Sequence, residues 1–323
     1  MIPTFIGIVT VTFLLTKMRP DPIQTQMLGA EGMKAGSAAH QYIEQLRKYY
    51  GYDKPIYVQY AYMWKNILTF DFNISRIDQR PVSDKIKEAL PYTLILNFVT
   101  IFLVYIISIP LGIYSGIRDG TRMDRVVTFI LYLLYSLPVF WVALILIRYL
   151  AGGDFLDYFP LGGWSSDAYE QFNPLEKLMD IVWHLFLPVV VSVYGSFAFL
   201  SKFMKSSFLE AYRSEYIKFA RAKGLSRKNI IFVHTMKNSL IPIVTLMAGL
   251  LPSLFGGSVI IEKIFSIPGM GKLAYESIYT NDETVIIAVV AISGVLTMIG
   301  ILITDIVYTL IDPRISFEKK DTL

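Results

Sequence analysis

EYIKFARAKGLSRKNIIFVHTMKNSLIPIV, residues 215–244, is the stretch whose reading decides the rest of the chain. Nine Lys and Arg lie from Lys202 to Lys237, between two runs apolar enough to be buried in a bilayer. A basic segment in that position must leave the lipid, and its periodicity says in what form. Taken as a helix from about Phe208 to Lys223, it places Phe208, Tyr212, Tyr216 and Phe219 within an arc of about 80°. Arg213, Ile217, Glu210, Arg221, Ser214 and Lys218 fall on the other side, and Ala211, Ala220 and Ala222 border the aromatic stripe. Glu215 points into that stripe, where a carboxylate needs a partner. Gly224 stands where a helix ends in left-handed φ, and Ser226 is placed to cap a second helix reaching about Lys237. The expected form is helix, glycine turn, helix, joined directly to the next apolar run.

The chain around it is built for lipid. Of its 323 residues 54% are hydrophobic and only 17% charged, against about a quarter charged in soluble domains; mean hydropathy is +0.49. Six apolar stretches, near 1–17, 92–116, 127–149, 181–201, 239–261 and 285–311, approach or exceed the roughly 20 residues a spanning helix needs. The expectation is an all-α polytopic membrane protein with about six transmembrane helices. Absence of cysteine excludes disulfides, thiol catalysis and cysteine-ligated metals. The first stretch is short and lacks a basic flank or a good cleavage site; it is read as a retained span rather than a signal peptide, with a start placed slightly late.

Cation placement sets an expected orientation. Segments 117–126, 202–238 and 312–323 hold 3, 9 and 3 Lys plus Arg, whereas 150–180 and 262–284 hold 1 and 2. The positive-inside rule puts the first set, and both termini, in the cytoplasm. Segment 18–91 is then extracytoplasmic. Its aromatics, among them Tyr42, Tyr49, Tyr50, Tyr57, Tyr60, Tyr62 and Trp64, suit the outer interface, and a break at Gly51 and Pro55 separates two short helices. A small folded cap is favoured over a dedicated ligand site. The organisation is thus a first helix over 1–17, an external segment 18–91, a transmembrane domain over 92–311 carrying the basic hairpin 202–238, and a tail 312–323.

Pro110, Pro138 and Pro188 interrupt other spans, but the fifth is the densest in helix-loosening residues, with Pro242, Gly249, Pro252, Gly256 and Gly257. Such residues survive in a bilayer where neighbours or water satisfy the freed backbone. They fit a deformable helix lining a transport path and equally close packing through small residues. Among intramembrane ionisable residues Asp305 is the clearest, with His184 near the outer end of the fourth span. A structural ion pair is favoured for Asp305 over a coupling role, and a proton relay would want more such groups.

Three readings of the basic hairpin compete. A solvated loop on anionic lipid explains the cations but not an aromatic face. A DNA-reading helix-turn-helix would be tethered at both ends by spans. A docking knob that fits a groove on a cytoplasmic protein accounts for most of the residues. At this point the residues themselves carry a resemblance. Ala220 to Leu225 (ARAKGL), a basic helix, then Asn238 to Pro242 (NSLIP) resemble the coupling loop of ABC importer membrane subunits. More narrowly, the chain resembles the B-type subunits of the oligopeptide, dipeptide and nickel permease family. YGYDKPIYVQY, DFNIS, RPVSDKIKEALPYTL, YSLPVFW, IEKIFSIPGMGKLAYESI and IVYTLIDPRI extend the likeness from about residue 49 to 314. Two features depart from the pattern: Glu215 is well separated from Ala220 and Ala222, and the distance from Gly224 to Pro242 exceeds the general importer spacing.

The resemblance implies the type I ABC importer permease fold and a subunit forming half of a pathway for peptides. Nickel chelates or other small solutes are an alternative within the family, and an ion-coupled carrier or channel is the alternative class. It implies Tyr212, Glu215, Tyr216, Phe219, Ala220, Ala222, Gly224 and Leu225 as the ATPase-docking set. Gly249, Pro252, Gly256, Gly257, Pro268, Gly269 and Gly271 become pathway or gate candidates. It further implies a C-type permease partner, two ATP-binding subunits and an extracytoplasmic solute-binding protein. ATP and magnesium would sit on the partners, with no cofactor or metal on this chain and no nucleic acid. The chain's own nearest approach to a phosphate loop, IPGMGKLAYES, fails the pattern at Ser266 and Leu273. PGMGK is better read as an external turn near an outer gate. No Ser/His/acid nucleophile set stands out among His40, His184 and His234.

Overall fold

In the computed structural model the described residues are 1–19, 45, 47–48, 51–151, 155–250 and 252–311. Tyr42, Tyr49, Tyr50, His40 and the tail 312–323 lie outside them. The described chain is helical, with a single isolated bridge between Ile74 and Pro81. In order the helices are α1 (Ile2–Lys17), α2 (Ile56–Thr69), α3 (Val82–Ile117), α4 (Arg122–Ser136), α5 (Val139–Leu150), α6 (Pro174–Arg213) and α7 (Glu215–Ala222). There follow α8 (Arg227–Asn229), a π-turn at Ile230–Thr235, α9 (Met236–Ser239), α10 (Ile241–Gly249), α11 (Ser253–Gly256), α12 (Val259–Ile264), α13 (Met270–Tyr279) and α14 (Glu283–Ile311). The described residues fall into two compact units: those within 1–89 and 273–296, and those within 90–272 and 297–311.

In the first unit α2 lies along α1. Phe5 meets Trp64 edge-on, Phe13 meets Tyr60, and the Tyr60 hydroxyl bonds to Thr10 Oγ1 at 2.7 Å. Two of the aromatics expected at an interface are therefore packed on a helix, while Tyr57 and Tyr62 are exposed. The break expected before α2 is present, with Gly51 at φ +72° and Pro55 as the N-cap. The Glu283 carboxylate is the unit's electrostatic knot: it pairs with Lys17 (2.7 Å) and Arg76 (3.1 Å) and accepts from the Tyr52 hydroxyl (2.7 Å). Beside it Asp282 accepts from Ser75 Oγ at 2.5 Å. DFNIS and RPVSDKI thus form one tight loop that closes on residues 282–283. Within it burial works to raise the Asp78 carboxyl. The Lys85 ammonium, the Ser75 hydroxyl and the Arg80 N–H that surround it prevail and hold it at about 2.

In the second unit α6 is the axis. It runs 40 residues, about 60 Å at 1.5 Å per residue, far beyond the expected 181–201. Its start is fixed by a capping box in which the Asn173 side chain accepts from Leu175 and Glu176 N–H, while Glu176 accepts from Asn173 N–H. Helix α3 packs on it through two glycines a turn apart. A Cβ on Gly112 would stand 2.5 Å from Met204 Cβ and 2.6 Å from the Ser201 carbonyl, and one on Gly116 would stand 2.5 Å from the Phe208 ring. Such small-residue spacing lets backbones close together. The pair is pinned at one end by Asp124, which accepts from Lys205 at 2.7 and 2.8 Å and from Ser115. Asp119 adds pairs with Lys205 (3.2 Å) and Arg213 (3.0 Å).

Among the described residues three helices, α3, α6 and α14, are individually long and apolar enough to cross a bilayer. The remaining stretches differ from straight rods. The third, 127–149, is bent by 92° between α4 and α5. Pro138 has no N–H to continue the helix and holds Leu137 extended at ψ 129°. The freed Leu137 carbonyl accepts the Tyr194 hydroxyl at 2.9 Å. Pro110 and Pro188, by contrast, lie inside unbroken helices. The fifth stretch, 239–261, is broken into α10, α11 and the start of α12.

Gly112→Ala should lower the thermal midpoint of the detergent-solubilised protein by an overpacking cost of about 1–3 kcal/mol. Gly195→Ala on the same α6, whose Cβ would find its nearest neighbour at 3.7 Å, should leave that midpoint unchanged.

Candidate functional site

The basic hairpin forms, but not with the face expected of it. Helix α6 ends at Arg213, and Ser214 turns extended (ψ 156°) with its hydroxyl on the Ala211 carbonyl at 2.6 Å. A serine that bonds the preceding turn competes with helix continuation. The break rotates α7 away from the continuous stripe. Ile217, assigned to the charged side, is fully buried and packs with Ala220, Ile230 and Tyr212. Tyr216 and Phe219, at 41% and 69% exposure, face outward. Glu215 is not buried among rings: it is exposed and pairs with Lys218 at 2.7 Å.

The turn itself is closed by backbone geometry. Gly224 takes φ +76°; its N–H bonds the Arg221 carbonyl at 2.9 Å and Leu225 N–H bonds the Ala220 carbonyl at 3.3 Å. This is the paired arrangement of a Schellman C-cap. Ser226 then caps α8 by accepting from Asn229 N–H at 3.3 Å. The second arm is not a plain helix. Residues 230–235 are wound as a π-turn, with Thr235 Oγ1 donating to Ile230 O five residues back at 2.9 Å. Asn238 Nδ2 reaches across to the Tyr216 hydroxyl at 2.9 Å and ties the arms together. Of the eight residues expected to dock, Glu215, Tyr216, Phe219, Ala222 and Leu225 are exposed, Tyr212 and Ala220 pack inside, and Gly224 makes the turn.

The gate candidates divide into two groups. Gly257, Gly269 and Gly271 converge on a residue that the sequence did not single out, Glu262, whose exposure is 0%. Its carboxylate accepts from Thr93 Oγ1 (2.9 Å), Ser258 N–H (3.3 Å) and Lys272 N–H (2.9 Å). Thr93 Oγ1 in turn accepts from Met270 N–H at 2.8 Å. A Cβ on Gly269 would stand 2.5 Å from Glu262 Oε2, and one on Gly257 would stand 2.7 Å from Gly271 N. The exposed Pro268 sits in the tight turn closed by Gly269 N–H on Ile267 O at 2.8 Å. Gly249 and Gly256 meet nothing within 4 Å, and Pro252 caps α11; these three stand apart from the carboxylate. The signal for Glu262 is an acid directly after an apolar run; Asp305, the clearer intramembrane acid in the sequence, lies within α14.

Ser166, Asp180 and His184 do come together. Asp180 accepts from Ser166 Oγ at 2.5 Å and N–H at 2.9 Å, while His184 Nδ1 lies 2.9 Å from the Asp180 carbonyl. The hydroxyl is committed to the carboxylate rather than to the imidazole, so the trio ties a loop to α6 and carries no nucleophile relay.

A family model described as binding-protein-dependent transport system inner membrane component matches residues 108–317. The chain is 37% identical to the oligopeptide transport system permease protein AppB of Bacillus subtilis, over 98% of this chain and 96% of that protein. It is 32% identical to the peptidoglycan transport system permease protein YejB of Agrobacterium fabrum, over 99% and 97%. It is 32% identical to the dipeptide transport system permease protein DppB of Bacillus subtilis, over 99% and 96%. The fold is similar to a chain of the MetNI methionine ABC transporter in an inward-facing conformation, with TM-score 0.50 and 19% identity over 69% of this chain and 95% of that one.

Replacing either cap should loosen the hairpin by about 1 kcal/mol, Ser226→Ala by losing its side-chain acceptor and Gly224→Ala by left-handed strain. Amide exchange across residues 216–223 should then quicken roughly fivefold, with α6 amides unchanged.

Proposed function

Since the chain belongs to the family of binding-protein-dependent transport system inner membrane components, it is a permease subunit of an ABC importer, and we propose that it passes peptides. Names of relatives covering nearly the whole chain, oligopeptide and dipeptide permeases among them, support that choice. The basic hairpin faces the cytoplasm with both termini, and docks on an ATP-binding subunit. The observation that carries the docking is the exposed pair Tyr216 and Phe219 on a helix locked by a Schellman turn, an N-cap and its own small core.

The mechanism is mechanical. ATP and magnesium sit on two partner subunits, whose closure pushes the hairpin. A stiff hairpin transmits that push into α6. The glycine contact and the Asp119–Asp124–Lys205 cluster pass it to α3. Nothing more is required than that ATP favour one arrangement over the other. A related C-type permease supplies the other half of the pathway, and an extracytoplasmic binding protein delivers the solute.

Phe219→Asp, Glu215→Lys and Gly224→Trp should each reduce the ATPase that co-purifies with the solubilised permease; wild-type recovery in all three removes the docking assignment. In proteoliposomes holding the whole assembly, di- and oligopeptides should stimulate ATP hydrolysis. Stimulation by a nickel chelate with no response to peptides would reassign the substrate.

A further inference from the structure

The fifth apolar stretch is broken, and its two sides are held by different helices. On one side α9 is tied to α6, where Ser207 Oγ donates to the Ser239 carbonyl at 2.8 Å, and Ile243 of α10 lies in the core at 1% exposure. On the other side the segment from Gly257 to Lys272 is tied to α3. The tie is the Glu262 carboxylate and Thr93. Among the described residues every hydrogen-bond partner of that carboxylate is an N–H or O–H donor, and no ion pair involves it. Burying an acid without a cation is costly, and only a close shell of donors offsets that cost. The shell leaves no room for error: a Cβ at 257, 269 or 271 would press on the carboxylate or on the backbone that serves it. Extracting the carboxylate would strand several donors at once. The arrangement is therefore one to be kept throughout a working cycle rather than opened in it.

Taking the importer reading as given, we infer that Glu262 and Thr93 are positioning residues that make Gly257–Lys272 one rigid body with the adjoining part of α3, so that whatever moves α3 moves this segment with it. The segment is also fastened to the loop before α6, where Gly163 N–H donates to the Phe265 carbonyl at 2.8 Å. Toward α10, Asn97 Nδ2 of α3 donates to the Ser253 and Leu254 carbonyls (3.2 and 2.9 Å), and a Cβ on Gly256 would meet nothing within 4 Å.

The chain contains no cysteine, so a pair introduced as Thr93→Cys and Met270→Cys forms the only disulfide it can make. In the full assembly in proteoliposomes, oxidation of that pair should leave solute-stimulated ATP hydrolysis and uptake at the level of the reduced form. Loss of both on oxidation, restored by reductant, would show that the segment must part from α3 and would overturn the inference. A second measurement stands apart from transport. Amide exchange at Gly271 and Lys272 should quicken about tenfold or more in Thr93→Val, return toward wild type in Thr93→Ser, and stay unchanged in Gly256→Ala. Equal exchange in Thr93→Val and wild type would also overturn it. A wild-type assembly that carries no peptide would count against the proposed substrate alone, since the exchange measurement needs only the folded chain.

Discussion

Where Gly112 and Gly116 of α3 meet Met204 and Phe208 of α6, no side chain larger than hydrogen fits, and the second unit is arranged around that contact. In lipid there is no hydrophobic drive between helices beyond what lipid itself offers, so association depends on close van der Waals fit and on polar ties. The glycines supply the first. Asp124, held by Lys205 and Ser115, supplies the second at the end of α6 from which the basic hairpin emerges. Because α6 is unbroken for 40 residues, its hairpin end at Arg213 and the glycine contact belong to one continuous helix.

The hairpin solves a different problem. It has fewer than thirty residues between Ser214 and Ile241 from which to make a stiff unit. Its stiffness comes from local closure: Gly224 in left-handed φ, two backbone bonds across the turn, Ser226 on α8, and Asn238 reaching to Tyr216. Ile217, Ala220 and Ile230 make a small private core, which leaves Tyr216 and Phe219 unspent on the outside.

Glu262 shows what a glycine cluster is for. PGMGK has the look of a phosphate loop, and its backbone does cradle an anion, but the anion is the chain's own carboxylate. Residues 269–272 approach so closely that Gly269 and Gly271 are required by volume rather than by dihedral freedom. Of the cluster only Gly257, at φ +64°, also needs its backbone freedom. The same chemistry that would bind a phosphate at a helix start here fixes one segment to another.

By itself the sequence determined the class and the local punctuation. Apolar runs of spanning length, the glycine turn at 224, the cap at Ser226 and the break at Gly51 and Pro55 all follow from short-range chemistry, since each depends on residues a few positions apart. Tertiary structure alone decided which faces point inward. A helical wheel assumes one continuous helix, and the hydroxyl of Ser214 ended that continuity, so Ile217 went in and Phe219 came out. It also decided that Pro138 bends its stretch while Pro110 and Pro188 do not, because the freed Leu137 carbonyl finds the Tyr194 hydroxyl 57 residues away. Glu262 stands in the sequence as an acid after an apolar run, but its role was illegible for the same reason: its meaning lies in Thr93, 169 positions distant, and no periodicity within a single segment can report a partner supplied by another helix.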